Sequence, residues 1–214
     1  MTIRTDKLGW LVAAALAGAM SVGALSGFQG NTAPKFATVD IGKVFDESSL
    51  AATNTDALEA ARKLRAGVLE FINGNRAMEP KDAERYAALA TKGAAVTPAE
   101  KAEADKLKAG GEDATRKQRE LSTKNPLTDA DKAALADFGG KVQANNALLG
   151  RLQGVYENDL QTMSTDLREK TLNRVRDVVK NLAAKGGYTV VFSTASAPYA
   201  SNDLTDEALK TLKK

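Results

Sequence analysis

Residues 186–193 read Gly186-Gly187-Tyr188-Thr189-Val190-Val191-Phe192-Ser193. Paired glycines stop a helix, and the aromatic and β-branched run behind them is a dense strand signal. A strand this short has no stability alone. Its partner lies near the other end of the chain, at Phe36-Ala37-Thr38-Val39-Asp40-Ile41, a run that ends at Gly42 and leads into a helical turn over Lys43–Ser48. Two strands so far apart must meet, so the chain between them has to go out and come back. That requirement predicts a helical hairpin rooted in a small sheet.

Working outward, everything from about Leu50 to Lys185 reads as helix with interruptions. The returning limb carries one apolar stripe through Leu149, Leu152, Tyr156, Leu160, Met163, Leu167, Val175, Val178 and Leu182, diluted only at Thr171. The outgoing limb keeps the same period through Leu58, Ala61, Leu64, Arg65, Val68, Leu69 and Ile72 until Asn73-Gly74. Between them, Glu79-Pro80, Thr97-Pro98 and Thr128-Asp129 open successive segments that Gly93, Gly111 and Gly139 are placed to close. Three short helices are expected, with Glu112–Lys124 as a fourth. Duplication and the chance likeness of Ala/Lys/Glu helices both account for the repeat. Past the second strand, Ala197-Pro198-Tyr199-Ala200 suggests a short edge segment. Asn202 or Asp203 then caps a last helix with Leu204, Ala208, Leu209 and Leu212 on one face and Lys210, Lys213 and Lys214 at its end.

The expected fold class is mainly α with a small β body, a long helical hairpin arm rooted in a small oligomeric sheet domain. Its divisions are a leader over 1–26, a β-rich association body from 27–49 and 186–214, and an arm over 50–185 broken at about 74–140. The leader reads as a secretory signal peptide: Arg4 and Lys7, an uncharged stretch from Leu8 to Leu25, and small residues around Ala24 and Ser26. Cleavage and export are the expectation. The rival is an uncleaved anchor, since the stretch approaches spanning length.

The chain holds no Cys and no His. Disulfides, zinc fingers, iron–sulfur clusters, thiol nucleophiles and a Ser-His-Asp triad are therefore excluded, and no enzyme is expected. No cofactor and no metal are expected either. Asp129-Ala130-Asp131 lacks a calcium loop's Gly and closing Glu, Ala134 and Gly140 standing in those places. Asp40 and Asp203 read as caps. The charge, 30 Lys and Arg against 27 Asp and Glu, is too well mixed for a nucleic-acid face. A body of a few short strands and one helix buries too little to stand alone. Self-association is expected through Phe36, Val39, Ile41, Tyr188, Val190 and Phe192.

The two end blocks, Phe36-Ala37-Thr38-Val39-Asp40-Ile41-Gly42-Lys43-Val44-Phe45 and Tyr188-Thr189-Val190-Val191-Phe192 with Pro198-Tyr199 and Leu204-Thr205-Asp206-Glu207-Ala208-Leu209, resemble those of the Skp/OmpH-like periplasmic chaperones. The resemblance implies a homotrimer whose arms enclose a cavity and hold unfolded outer-membrane proteins without ATP. The chain departs from the family's nearly continuous arm at Gly74, Pro80, Gly93, Pro98, Gly110-Gly111, Pro126 and Gly139-Gly140. A helix-interior Pro costs about 3 kcal/mol and a Gly about 1, so ends or joints are expected there, with the distal arm folded back on itself. Client contacts are assigned to Phe71, Ile72, Met78, Tyr86, Leu89, Leu127 and Phe138. Packing between the hairpin's own helices is the competing account of the same residues. On the returning helix, Arg168, Lys170, Arg174, Arg176, Lys180 and Lys185 offer a weak phospholipid or acidic-client contact, or a solvated face with pairs such as Asp166–Lys170. From another class comes a non-catalytic envelope spacer tethered by its leader.

Overall fold

A computed structural model describes residues 33–213; the leader expected over 1–26 lies outside them. The two strands meet as the sequence requires. β1 (Phe36–Val39) pairs in parallel with β2 (Val190–Ser193), Phe36 opposite Val190 and Val39 opposite Ser193. A parallel pair needs a crossover, and here the crossover is the whole arm. β1 ends two residues before its expected limit, at Ile41, because Asp40 starts a helix. Its carboxylate accepts the Lys43 N–H at 2.9 Å, so Ile41 and Gly42 open α1 (Ile41–Asp46).

The segment Ala197–Ala200 does not form the expected edge strand. Ser196 and Ala197 donate back to the Ser193 carbonyl, and Pro198 has no donor. The far edge of β1 is covered instead by residues 202–204. Thr38 donates its N–H to the Asn202 carbonyl at 2.8 Å and accepts from Leu204 N–H at 2.9 Å. The N-cap of α6 (Thr205–Leu212) is Leu204 rather than the expected Asn202 or Asp203, and no side chain caps it. Asp203 braces the helix start instead, accepting both the N–H and the hydroxyl of Thr205, at 2.9 and 2.6 Å. Thr205 Oγ1 in turn accepts the Asp40 N–H at 2.9 Å, tying the starts of α1 and α6 together.

The arm leaves through α2 (Ser49–Gly74) and returns through α5 (Asp129–Gly186). At 1.5 Å per residue, the 58 residues of α5 span about 87 Å. Its last turns enter the core of the body, where Val175, Val178 and Leu182 meet Ala37, Val39, Val44, Leu204, Ala208, Leu209 and Leu212. One helix is thus shared by body and arm. It stops at Gly187, whose φ of 66° favours glycine.

Between α2 and α5 lie α3 (Pro80–Ala90), a short 3₁₀ turn (Gly93–Ala95) and α4 (Pro98–Thr123). The expected starts fall into place. Pro80 and Pro98 occupy the first helical turn, and Thr97/Glu100 and Thr128/Asp131 close capping boxes. Two of the expected stops do not. α4 runs through Gly110-Gly111, α5 runs through Gly139-Gly140, and no helix starts at Glu112. The break therefore ends at 129 rather than about 140, and helices of 11, 26 and 58 residues do not repeat. Glycine weakens a helix but keeps its hydrogen bond, whereas proline removes one. Gly111 has a packing reason to be small: a Cβ there would sit 3.1 Å from Met78 Sδ and 3.3 Å from Phe71 Cζ. Thr171 is no weak point either. It is buried and accepts from Asn54 Nδ2 at 2.7 Å, a polar pin in the α2–α5 seam.

Candidate functional site on the sheet face and the arm

Alternation along the strands sends Ala37 and Val39 into the core and leaves Phe36, Val190 and Phe192 outward, 46%, 39% and 41% exposed. The Phe36 and Phe192 rings lie 6.2 Å apart, forming one apolar patch. Among the described residues nothing pairs with the outer edge of β2. Tyr199, in the loop that follows, is 87% exposed. Burying each large apolar side chain is worth about 1.5–3 kcal/mol, so this face is where a partner would gain most. Of the six residues assigned to association, the other three face inward. Val39 is buried, and Ile41 and Tyr188 pack at the margin of the core, with the Lys35 ammonium 4.4 Å from the Tyr188 ring. Val39 is spent on its own core and has no area left for a neighbour, whereas Ile41 and Tyr188 are half-buried and keep part of their surface.

The middle of the arm is four helices thick. α3 turns back along α2 and α5, and α4 climbs beside it. The core shared by α2, α3 and α5, with the α2–α3 turn, holds Val68, Ile72, Met78, Ala83, Ala87, Leu148 and Tyr156. Ile72, Met78 and Leu89 are at most 1% exposed. They have no surface to offer a client, because the folded-back helices cover the seam that a plain hairpin would leave open. Phe71 and Tyr86 are half-buried and stack at 4.6 Å, and Leu127 and Phe138 are half-buried at the tip. Burial pushes the Tyr86 and Tyr156 hydroxyls above their ordinary pKa.

Asn145 is the residue that sequence reasoning missed. It is fully buried, and its Nδ2 donates to the carbonyls of Arg76 and Met78, both at 2.9 Å. It thereby clamps the α2–α3 turn to α5. Its one sequence signal is spacing: it stands three and four residues before Leu148 and Leu149, on the apolar stripe. Ion pairs dress the outside of the same region. Arg85 grips Glu103 through two bonds of 2.7 and 2.8 Å, Arg151 meets Glu84 at 2.8 Å, and Lys141 meets Glu79 at 2.6 Å. At the two helix starts the capping carboxylates are strongly stabilised in their charged form. Glu100 is lowered to about 2 by its bonds from Lys92 and Thr97, and Asp131 to about 2 by Lys124 and Thr128.

On the returning helix the expected Asp166–Lys170 pair does not form, and both side chains are exposed. Arg168 instead lies over the Phe45 ring, 5.7 Å from its centroid. No helix among the described residues is long and apolar enough to cross a membrane.

Against known proteins, the model of the OmpH-like outer membrane protein family matches residues 35–212. Over 60 residues the chain is 40% identical to the chaperone protein Skp of Yersinia enterocolitica, covering 27% of this chain and 37% of that protein. The chaperone protein Skp of Pectobacterium atrosepticum is 38% identical over 60 residues, covering 27% and 36%. The match thus spans little more than a third of the length of these curated relatives.

Proposed function

This chain belongs to the OmpH-like outer membrane protein family, and from that premise we propose that it is a periplasmic, ATP-independent holdase chaperone for unfolded outer-membrane proteins. In this reading residues 1–26 are the export signal, 27–49 and 186–214 form the association body, and 50–185 form the arm. Three copies join through their bodies and hold clients between their arms.

The observation that carries the reading is the open sheet face. A sheet of two four-residue strands is below the size that is stable by itself. It nevertheless leaves Phe36, Val190 and Phe192 in solvent beside an unpaired edge. Neighbouring copies supply the missing cover, and the arms then stand side by side around a shared space. Client capture is multivalent: many weak contacts on several arms sum to useful avidity. The same arrangement needs no nucleotide, because nothing has to be actively opened.

The test is aggregation of a urea-denatured β-barrel membrane protein diluted into buffer, followed by light scattering. The purified chain should suppress scattering at near-stoichiometric amounts without nucleotide. Unchanged scattering at several-fold excess would remove the holdase reading.

A further inference from the structure

The arm changes thickness along its length. Through its middle, α2, α3, α4 and α5 cover one another's apolar seams. Past Gly111 only the end of α4 and the start of α5 remain, joined by the loop at 124–128. Nothing among the described residues covers the seam between them. It opens as a notch of about 490 Å³ with Leu121, Ala134 and Phe138 as its walls and Lys117, Glu120 and Lys124 at its rim. That volume lies in the range of about 300–1,000 Å³ usual for ligand pockets.

The charges around the notch decide what fits it. Lys117 is paired with Asp113 at 2.8 Å and Lys124 with Asp131 at 2.6 Å. Lys141 lies over the Phe138 ring at 5.4 Å, with its own charge shared between Glu79 and Asp137 at 2.6 and 2.7 Å. An anionic headgroup would have to displace a carboxylate from each cation it met. An uncharged apolar side chain displaces only water. We propose that the arm tip is a docking notch for an apolar segment of an unfolded polypeptide, inserted between α4 and α5 against Leu121 and Phe138. This rests on the holdase reading and gives it a location. The contact is at the open end of the arm rather than along its middle, where Ile72, Met78 and Leu89 are already enclosed.

The chain has no cysteine, so an environment-sensitive dye on Glu120→Cys reports the notch alone. The probes are a short synthetic peptide alternating valine or tyrosine with serine, and phosphatidylglycerol vesicles. The peptide should give a saturable blue shift and the vesicles none. Phe138→Ala should weaken the peptide response about tenfold. Ala134→Trp, which fills the notch without removing a packed side chain, should abolish the response while circular dichroism stays unchanged. If Phe138→Ala loses helicity, the Ala134→Trp result decides. Undiminished peptide binding by a helical Ala134→Trp protein overturns the proposal. A shift with vesicles but not peptide overturns it in favour of an anionic surface, and a shift that grows with protein concentration alone overturns it in favour of tip-to-tip contact between copies. If the parent chain suppresses aggregation but shows no peptide shift, the notch fails and the holdase reading stands. If the parent suppresses nothing, the holdase reading itself has failed.

Discussion

Asn145 shows how much one side chain can decide. The turn at 75–79 brings two carbonyls, those of Arg76 and Met78, against the packed face of α5, where the buried Asn145 amide bonds both. An apolar residue at 145 would match the stripe better and leave both unpaired. Asn145→Leu should therefore lower stability by about 1–3 kcal/mol despite its greater apolarity. Hydrogen exchange should accelerate first in residues 75–79. Unchanged stability and exchange would mean that the clamp is incidental. Thr171 follows the same logic in the root of the arm, where its hydroxyl takes the bond from Asn54. A stripe read by hydropathy alone marks Thr171 as a fault and passes over Asn145. Each is a polar contact whose partner lies far away in sequence, and periodicity carries no information about such a partner.

At the scale of the element, the starts at Pro80, Pro98 and Thr128 were legible, while two stops and the start at Glu112 were not. Pro80, Pro98 and Thr128 each act through local chemistry: a missing N–H, a fixed φ, or a side-chain cap. Glycine has no such fixed meaning. At 139 and 140 a Cβ would meet nothing within 4 Å, so those glycines only loosen an exposed stretch of α5. Gly139→Ala and Gly140→Ala should each stabilise the protein, by roughly 0.5–1 kcal/mol. Gly111→Ala should destabilise it, because Met78 and Phe71 stand too close. Thermal unfolding of the three variants gives the signs directly. Destabilisation by the 139 and 140 changes would show that α5 bends or stops there.

At the scale of the whole molecule, exposed apolar residues fall on two unlike surfaces. Phe36, Val190 and Phe192 form a contiguous patch on the sheet, while Leu64 and Val155 stand singly on the arm. Scattered apolar residues are ordinary on a protein surface, and contiguous ones call for a partner. Val190→Asp with Phe192→Asp should convert the proposed trimer to monomers in multi-angle light scattering. Leu64→Asp with Val155→Asp should leave the assembly intact. The reverse pattern would move the interface to the arm. A parent chain that is monomeric at every concentration would abolish the trimer itself.

Much of the architecture was readable because its causes are local or compositional. The strand runs, the capping residues, the long apolar stripe and the absence of Cys and His lead to a small sheet, a helical excursion and no covalent staple. Tertiary structure alone decided which apolar residues remain available. Ile72 and Phe138 look alike in sequence, each bulky and each on an amphipathic helix. One is sealed in the core that α2, α3 and α5 share, and the other borders an open seam at the tip. Periodicity identifies the face that will seek cover, but only the packing of distant segments determines whether it finds any.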